Sequence, residues 1–257
     1  MSNKWELYDR LIAGIPGDLP VEDYMNGCAW TMVKTRVGCG VAYTVHQQTA
    51  CPDDSRPIIG APLREVAQLV KSWNFMEASI GMAAINSWYN TPERMKALGV
   101  HTEAEARKKG DAFTVFAPAV QGKKVAVIGH FPNLETQLKP ICQLSILERE
   151  PLMGDYPDSA CEFILEEQDF VFITGMTLIN KTLPRLLELV RPDAQLCMVG
   201  PSVPLSDVLF SYGVDHLSGF FVDEPAMAMN IVRQGIHPRI FRSGHMILYS
   251  APGADKP

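Results

Sequence analysis

An unbroken apolar run followed by a glycine constrains the fold of this chain more than any other feature. Residues 123–133 read KKVAVIGHFPN, and residues 125–128 lack the polar alternation of a half-exposed strand. Such a run is typical of a parallel strand that helices cover on both faces. Gly129 then permits a sharp turn, and the following loop, from His130 to Asn133, lies where open α/β sheets bind ligands.

The second half of the chain repeats this pattern. Five further apolar runs predict strands at 144–147, 170–174, 196–199, 217–222 and 246–250, and helical patterns lie between most of them. Strands that alternate with helices indicate parallel βαβ units. We therefore predict that residues 111–257 form a Rossmann-like, doubly wound parallel sheet.

The first half differs in pattern and predicts a small α+β domain over residues 1–110. Residues 4–13, 63–73 and 75–90 have helical periodicity, and two β-rich runs at 28–35 and 41–47 flank a glycine-bearing hairpin turn that contains Gly38. Residues 91–109 are polar and predict an exposed helix or linker. The helix at 75–90 has small residues at its centre, which indicates close packing or access for a ligand. Asn86 is either a helix-end asparagine or a ligand clamp.

Composition narrows the classes of partner. The net charge of −6 and the lack of a basic block argue against nucleic acid and anionic membranes as partners. The charged start MSNKWELYDR lacks the apolar core of a signal peptide, and no apolar run reaches membrane-spanning length. We therefore expect a cytoplasmic protein with a small-molecule ligand.

The six cysteines are scattered singly and match neither a CxxC redox pair nor a zinc ribbon. Most are expected to be buried, small apolar side chains. Cys28, Cys39 and Cys51 share one segment with His46, so a soft-metal site there is a minority hypothesis. Metal ligands are otherwise unassigned.

Three polar, glycine-bearing loops are the best candidates for a site. In a doubly wound sheet we expect the loop after the first strand, 129–132, to lie beside the loop after the fourth, 200–204. The loop after the third strand, 174–182, ends at the same edge. The candidate ligand-binding residues are Gly38, Asn86, Phe131, Thr174, Thr177, Asn180, Ser202 and Pro204. His130 is the candidate catalytic residue, because an imidazole can exchange a proton or bind a metal.

A nucleotide cofactor is a second hypothesis. The GxGxxG fingerprint is not met, because only Gly129 is present, and the Walker pattern is absent. Glu148 does follow the second strand, where an acid can bind a ribose hydroxyl, although a surface glutamate is an equally good interpretation. The identity of the cofactor is therefore unknown, and a heavy-metal ion and an adenosine-containing molecule are the two candidates.

Four motifs together carry a family resemblance: IGMAAINS at 80–87, VIGHFP at 127–132, TGMTLINKTL at 174–183 and GPSVPL at 200–205. Across essentially the whole chain, the sequence resembles a bacterial and archaeal family described as heavy-metal chelation proteins. The resemblance implies an N-terminal domain similar to that of enolase, a Rossmann-like domain, and an active site between them. Gly81, Ala84 and Asn86 would then face the three loops across a cleft.

Three functional hypotheses follow. The first is a protein that binds a small anionic or metal-chelating ligand in the interdomain cleft; Asn86 and Asn180 would orient it, and Thr174, Thr177 and Ser202 would donate hydrogen bonds. The second is an enzyme that uses adenosylmethionine or a nucleotide, with Glu148 at the ribose. The third is a scaffold, with the cleft as a packing seam or as part of a homodimer. Whether the chain catalyses a reaction is left open.

Overall fold

The computed structural model describes residues 3–47, 50–51, 57–99 and 111–254, which form a mixed α/β fold with two sheets. The predicted domain boundary near residue 110 and much of the polar stretch 91–109 lie outside the described residues. The strands are β1 (Asp23–Asn26), β2 (Trp30–Lys34), β3 (Cys39–Tyr43), β4 (Lys124–Ile128), β5 (Gln143–Glu148), β6 (Tyr156–Pro157), β7 (Phe170–Thr174), β8 (Gln195–Val199), β9 (His216–Val222) and β10 (Gly244–Ser250).

Short helices connect most of these strands. The α-helices, numbered over the described residues, are α1 (Glu6–Ala13), α2 (Leu63–Ala67), α3 (Phe75–Tyr89), α4 (Pro92–Ala97), α5 (Ala112–Val120), α6 (Leu134–Gln137), α7 (Cys161–Ile164), α8 (Met176–Ile179), α9 (Leu183–Leu189), α10 (Asp207–Phe210) and α11 (Pro225–Gln234). Short 3-10 helices span Gln68–Lys71, Asp158–Ala160, Leu165–Glu167 and His237–Arg242. None of the described helices is both long and apolar enough to cross a membrane.

The N-terminal sheet is antiparallel in the order β1-β2-β3. The predicted hairpin between β2 and β3 is present, and the Thr35 hydroxyl closes it by accepting hydrogen bonds from the N–H groups of Val37 and Gly38. Strand β1 was not predicted. Its four residues, DYMN, are all half-buried, so they carry neither an apolar run nor a clear alternation.

The seven-stranded sheet has the order β10-β9-β8-β7-β4-β5-β6, and all neighbours are parallel except β9 and β10. The strand order reverses at β4, from which β5 and β6 lie on one side and β7 to β9 on the other. This is the order of a doubly wound sheet. The predicted α/β fold class is confirmed.

One predicted adjacency is wrong. The sequence placed the loop after 196–199 beside the loop after β4, but the strand next to β4 is β7, whose loop begins at Thr174; Phe131 nevertheless lies 3.8 Å from the Cβ position of Gly200. The cause is β6, an edge strand of only two residues that follows β5 in the chain. Because no sequence pattern predicted it, the strand at 196–199 was counted as the fourth strand of the sheet when it is the fifth. A strand of two residues has no periodicity that a sequence pattern can show.

Both faces of β4 are buried, as its apolar run predicted. Val125 and Val127 belong to a core with α5, whose Phe113 and Phe116 also contact the phenylalanines of β7. Ala126 belongs to a second core that includes α1 and α3. The second core also contains Cys161 of α7, Leu178 of α8 and Leu183 of α9, so the two faces of β4 belong to two different cores.

Helix α3 lies between the two sheets, and its small residues are required by packing. Asn74 caps its start by accepting hydrogen bonds from the N–H groups of Met76 and Glu77. A Cβ atom at Gly81 would lie 2.0 Å from the backbone nitrogen of Val70, closer than any side chain allows. Close approach of two backbones therefore accounts for the glycine.

We predict that Gly81→Ala destabilises the fold by about 3 kcal/mol, because the added methyl group meets backbone rather than a mobile side chain. Alanine normally stabilises a helix interior by about 1 kcal/mol relative to glycine, so destabilisation reports the clash. Urea unfolding of the two proteins measures the difference.

Gly17→Ala is the control, because its Cβ would have only the Arg64 guanidinium within 4 Å, at 3.8 Å. We expect it to change stability by less than about 0.5 kcal/mol. Equal stability of Gly81→Ala and the parent would contradict the close approach.

Candidate metal centre

The exit of β4 presents His130 at the carboxyl edge of the sheet. Gly129 has φ +104°, which only glycine adopts readily, and a Cβ there would lie 3.1 Å from that of Thr174. The Phe131 ring lies over the strand ends, within 3.8 Å of the Cβ positions of Gly129 and Gly200. The chain therefore turns tightly, and the His130 side chain is directed away from the buried strand with 20% of its area exposed.

Three carboxylates surround His130. Its backbone N–H donates to Glu148 Oε2 over 2.8 Å, and its ring Nδ1 lies 2.9 Å from Asp155 Oδ2. On the other side of the ring, Nε2 lies 3.7 Å from Glu135 Oε1. The imidazole is thus flanked by carboxylates from the loop before β6 and from α6, and the third carboxylate, from β5, holds the backbone of the same residue.

Asp155 is fixed by its own turn. Its N–H donates to Leu152 O, and the Leu152 N–H donates to Asp155 Oδ2, both over 3.0 Å. Only 2% of the Asp155 side chain is exposed. Since a carboxylate only accepts hydrogen bonds, the contact with Oδ2 places the proton of neutral His130 on Nδ1 and leaves the Nε2 lone pair facing Glu135.

This arrangement has the features of a metal centre. His130, Glu135 and Asp155 can each offer one donor atom within 4.8 Å of the others, and no other such group of three occurs among the residues the structure describes. An aspartate that holds the far nitrogen of a histidine is a common support for a metal-binding imidazole. His130 and Glu135 are the direct candidate ligands, and Asp155 orients the ring.

Sequence reasoning singled out His130 but missed Glu135 and Asp155. Asp155 follows Gly154 in a turn, and Glu135 lies in the first turn of α6. Neither belongs to a metal-binding motif, so only their spatial convergence on His130 marks them.

Glu148 has a structural use. Oε2 accepts from His130 N–H, and Oε1 accepts from the N–H groups of Arg149 and Glu150 at 2.6 and 3.4 Å. The carboxylate thereby joins the loops after β4 and β5. A ribose hydroxyl would have to share the Glu148 oxygens that already accept these bonds. The role of Glu148 in cofactor binding stays a prediction.

Several predicted cleft residues lie in the contact between the two halves of the chain. Asn86 is fully buried and donates through Nδ2 to the carbonyl groups of Val41 and Pro201, at 2.8 and 3.1 Å. The Ser202 hydroxyl, also buried, accepts from Tyr43 N–H over 2.9 Å. These side chains connect β3 and α3 with the loop after β8.

Two other predicted residues occupy the margins of this contact. Pro204 is buried in the same loop, and Gly38 is half-buried at the hairpin turn, where a Cβ would lie 2.6 Å from the Thr91 side chain. Neither residue contacts His130 in any described hydrogen bond or ion pair. Their ligand-binding roles stay predictions.

The polar groups after β7 mainly close their own loop. Thr177 donates to Thr174 O over 2.7 Å, and Asn180 Oδ1 accepts from the Thr182 N–H and hydroxyl at 3.1 and 2.7 Å. Helix α8 has only four residues. The loop reaches the same sheet edge as His130, because β7 pairs with β4.

The cysteines do not contribute to this centre. Cys39, Cys161 and Cys197 are buried, and burial raises the pKa of the Cys39 thiol to about 12 and that of Cys161 to about 11. His46 Nε2 lies 2.5 Å from the backbone oxygen of Cys28, and His46 forms no donor group with the described cysteine sulfurs. In the described residues, the predicted soft-metal segment therefore forms no group of three donors.

Lys181 is the charged residue of the loop after β7, and it extends toward the N-terminal half. Its ammonium group donates to the carbonyl groups of Ser72 and Ile179 and lies 4.7 Å from the centre of the Phe75 ring. Burial lowers the pKa of Lys181 to about 7. The carbonyl groups and the ring favour the charged form and oppose part of this shift.

We predict that the parent protein gains stability relative to Lys181→Met as the pH rises from about 7 to 10. The unfolded lysine, with a pKa of about 10.4, binds more protons than the folded one in this window, so deprotonation favours folding. Urea unfolding at several pH values measures the trend. Lys139→Met, at an exposed position, should follow the parent; identical trends for both variants would contradict the lowered pKa.

Fold and site define an α/β protein with a candidate metal centre at the carboxyl edge of a doubly wound sheet. Two family models match the chain, DUF364 over residues 111–249 and DUF4213 over residues 8–89, and both are described as "Putative heavy-metal chelation". The first covers more than half of the chain. The chain belongs to this family, and the resemblance read from the four motifs is confirmed.

Two solved structures and one curated protein are also similar to this chain. A protein of unknown function of the same family from Desulfitobacterium hafniense is 43% identical, with a TM-score of 0.90 over 98% of this chain and 100% of that one. A Pyrococcus horikoshii member is 20% identical, with a TM-score of 0.79 over 96% and 99% of the two chains, and shares the fold. An uncharacterised protein of Methanocaldococcus jannaschii is 27% identical over 70% of this chain and 68% of its own length.

Proposed function

We propose that the protein binds a divalent metal ion at the carboxyl edge of the large sheet, as its part in metal handling. The convergence of His130, Glu135 and Asp155 carries this proposal. The family description supports it, because chelation requires a set of convergent donors. Among the described residues, no second group of three donors competes for the role.

The geometry suits an ion that enters from solvent. Two donors on one ion, at about 2.1 Å each, lie roughly 3 to 3.5 Å apart. The 3.7 Å between His130 Nε2 and Glu135 Oε1 is close to this separation, and Glu135 is 49% exposed, so its side chain can adjust. Asp155 is nearly buried and holds the ring still, which lowers the cost of ordering the site.

The proposal extends to a small ligand in the contact between the two halves, as predicted from the sequence. Asn86 Oδ1 is buried and has no hydrogen-bond partner among the described residues. A buried acceptor without a partner is costly, and a ligand donor or water would satisfy it. Asn86→Asp would keep this acceptor but replace Nδ2 with an oxygen, so the two bonds donated to Val41 O and Pro201 O would be lost.

We predict that His130→Ala abolishes binding of Co²⁺ or Zn²⁺, because it removes the imidazole nitrogen. At about one hundred times its dissociation constant, the ion should stabilise the parent by roughly 2.7 kcal/mol and the variant not at all. Thermal unfolding with and without the ion, supported by titration calorimetry, measures both. Asp155→Asn should weaken binding about 10- to 100-fold without abolishing it, as expected for a positioning residue.

His245→Ala is the matched control. His245 Nδ1 lies 2.7 Å from Asp223 Oδ2, so it forms the same pair, but no third donor joins it in the described part of the chain. This variant should bind the ion as the parent does. Unchanged binding by His130→Ala would refute the proposed centre.

A nucleoside-dependent enzyme is the second candidate, favoured by the doubly wound strand order and by the position of Glu148 after β5. We expect adenosylmethionine to stabilise the parent only if this candidate holds, and Glu148→Gln to remove that effect. A thermal-shift comparison of adenosylmethionine with metal ions distinguishes the two functions. No stabilisation by any nucleoside would end the second candidate.

A further inference from the structure

The donor atoms at His130 select a class of ion. The candidate ligands are one imidazole nitrogen and carboxylate oxygens, with no sulfur. Imidazole and carboxylate suit first-row ions of borderline hardness, whereas thiolates and thioethers select soft, thiophilic ions. The donor set therefore does not fit an ion such as Hg²⁺ or Cu⁺.

The described cysteines are not placed to change this. Cys39, Cys161 and Cys197 are buried and Cys142 is half-buried, and burial raises the pKa of all four thiols, whereas the thiolate is the metal ligand. Cys28 and Cys51 are exposed, but neither belongs to the donor group at His130. Thiophilic ions would bind these two surface thiols independently of the centre.

The negative charge around His130 favours a free metal cation over a metal held in an anionic chelate. Glu135 and Asp155 flank the His130 ring, and Glu148 accepts from the backbone N–H of the same residue, so negative charge is in excess around this loop. The neighbouring Arg149 is directed toward Asp158, at 3.4 Å, and not toward the ring. A free divalent cation offsets this excess, whereas a metal held in an anionic chelate would be repelled.

The protein supplies too few ligands to enclose an ion. His130 Nε2 and Glu135 are the direct ligands when Asp155 orients the ring, and a closed structural site uses four protein ligands. Half of the Glu135 side chain is exposed. The remaining positions on the ion therefore face solvent and can keep water.

We infer that the cargo of this centre is a hydrated first-row divalent cation such as Co²⁺, Zn²⁺, Ni²⁺ or Mn²⁺, taken up as the free ion. Neither a thiophilic ion nor an anionic metal chelate is its ligand. This inference rests on the proposed function and gives it a substrate class. It departs from the small anionic ligand expected from the sequence, because the carboxylates around His130 disfavour an anion there.

Titration of Co²⁺ into the full-length protein tests the inference. The parent and a Cys28→Ser/Cys51→Ser variant should bind one Co²⁺ with the same affinity, and the visible spectrum should lack the intense thiolate band. Glu135→Gln should weaken binding at least tenfold and, since it removes one negative charge without changing shape, should also reduce the dependence of affinity on salt. His130→Ala should not bind.

The same proteins titrated with Hg²⁺ and with cobalt citrate complete the test. Hg²⁺ should bind the parent more tightly than the Cys28→Ser/Cys51→Ser variant, in which Cys142 is the one remaining thiol that is not fully buried. Neither protein should bind cobalt citrate more tightly than free Co²⁺. Tighter Hg²⁺ binding at the His130 centre of the cysteine variant, or binding of cobalt only as its citrate complex, would overturn the inference and leave the proposed function intact. No binding of any ion by any form would instead refute the proposed function itself.

Discussion

The burial of β4 on both faces is the constraint on which the rest of the structure depends. Val127 belongs to the core that contains α5, and Ala126 belongs to the core on the other face, so neither face of the strand is free for a ligand. At its carboxyl end the strand leaves the sheet at Gly129 and presents the polar loop that begins with His130. The position of His130 is therefore a consequence of the burial of β4.

The arrangement around His130 is electrostatically expensive without a cation. Carboxylates that share one small region repel each other, and only one of the three, Glu148, spreads its charge over several backbone N–H groups. Asp155 is nearly buried, where a charge interacts more strongly with its neighbours than in water. A divalent ion would offset this repulsion, which is the physical basis of the metal binding proposed here.

The contact between the two halves of the chain has a different character. Asn90 is buried, and it donates to the carbonyl groups of Val203 and Phe220 while accepting from Leu205 N–H, all at 2.9 to 3.1 Å. Such a fully used amide fixes the orientation of α3 on the large sheet. Asn86, one turn earlier, leaves its oxygen without a described partner. The same helix thus combines a rigid connection with one unused acceptor.

The sequence by itself determined the elements whose signal is local. The apolar run of β4 and the βαβ alternation follow from neighbouring residues along the chain, because hydrophobic periodicity reports which faces are buried. For Gly81 the sequence left close packing and ligand access open, and the approach of the Val70 backbone decided for packing. Hydrophobic periodicity does not report which strands are neighbours, and so the two-residue β6 and the pairing of β4 with β7 were decided by tertiary structure. The candidate metal centre was likewise decided by tertiary structure. Glu135 reaches His130 from α6 and Asp155 from the loop before β6, and no spacing in the chain encodes that meeting, since only the packed sheet brings these segments to one edge.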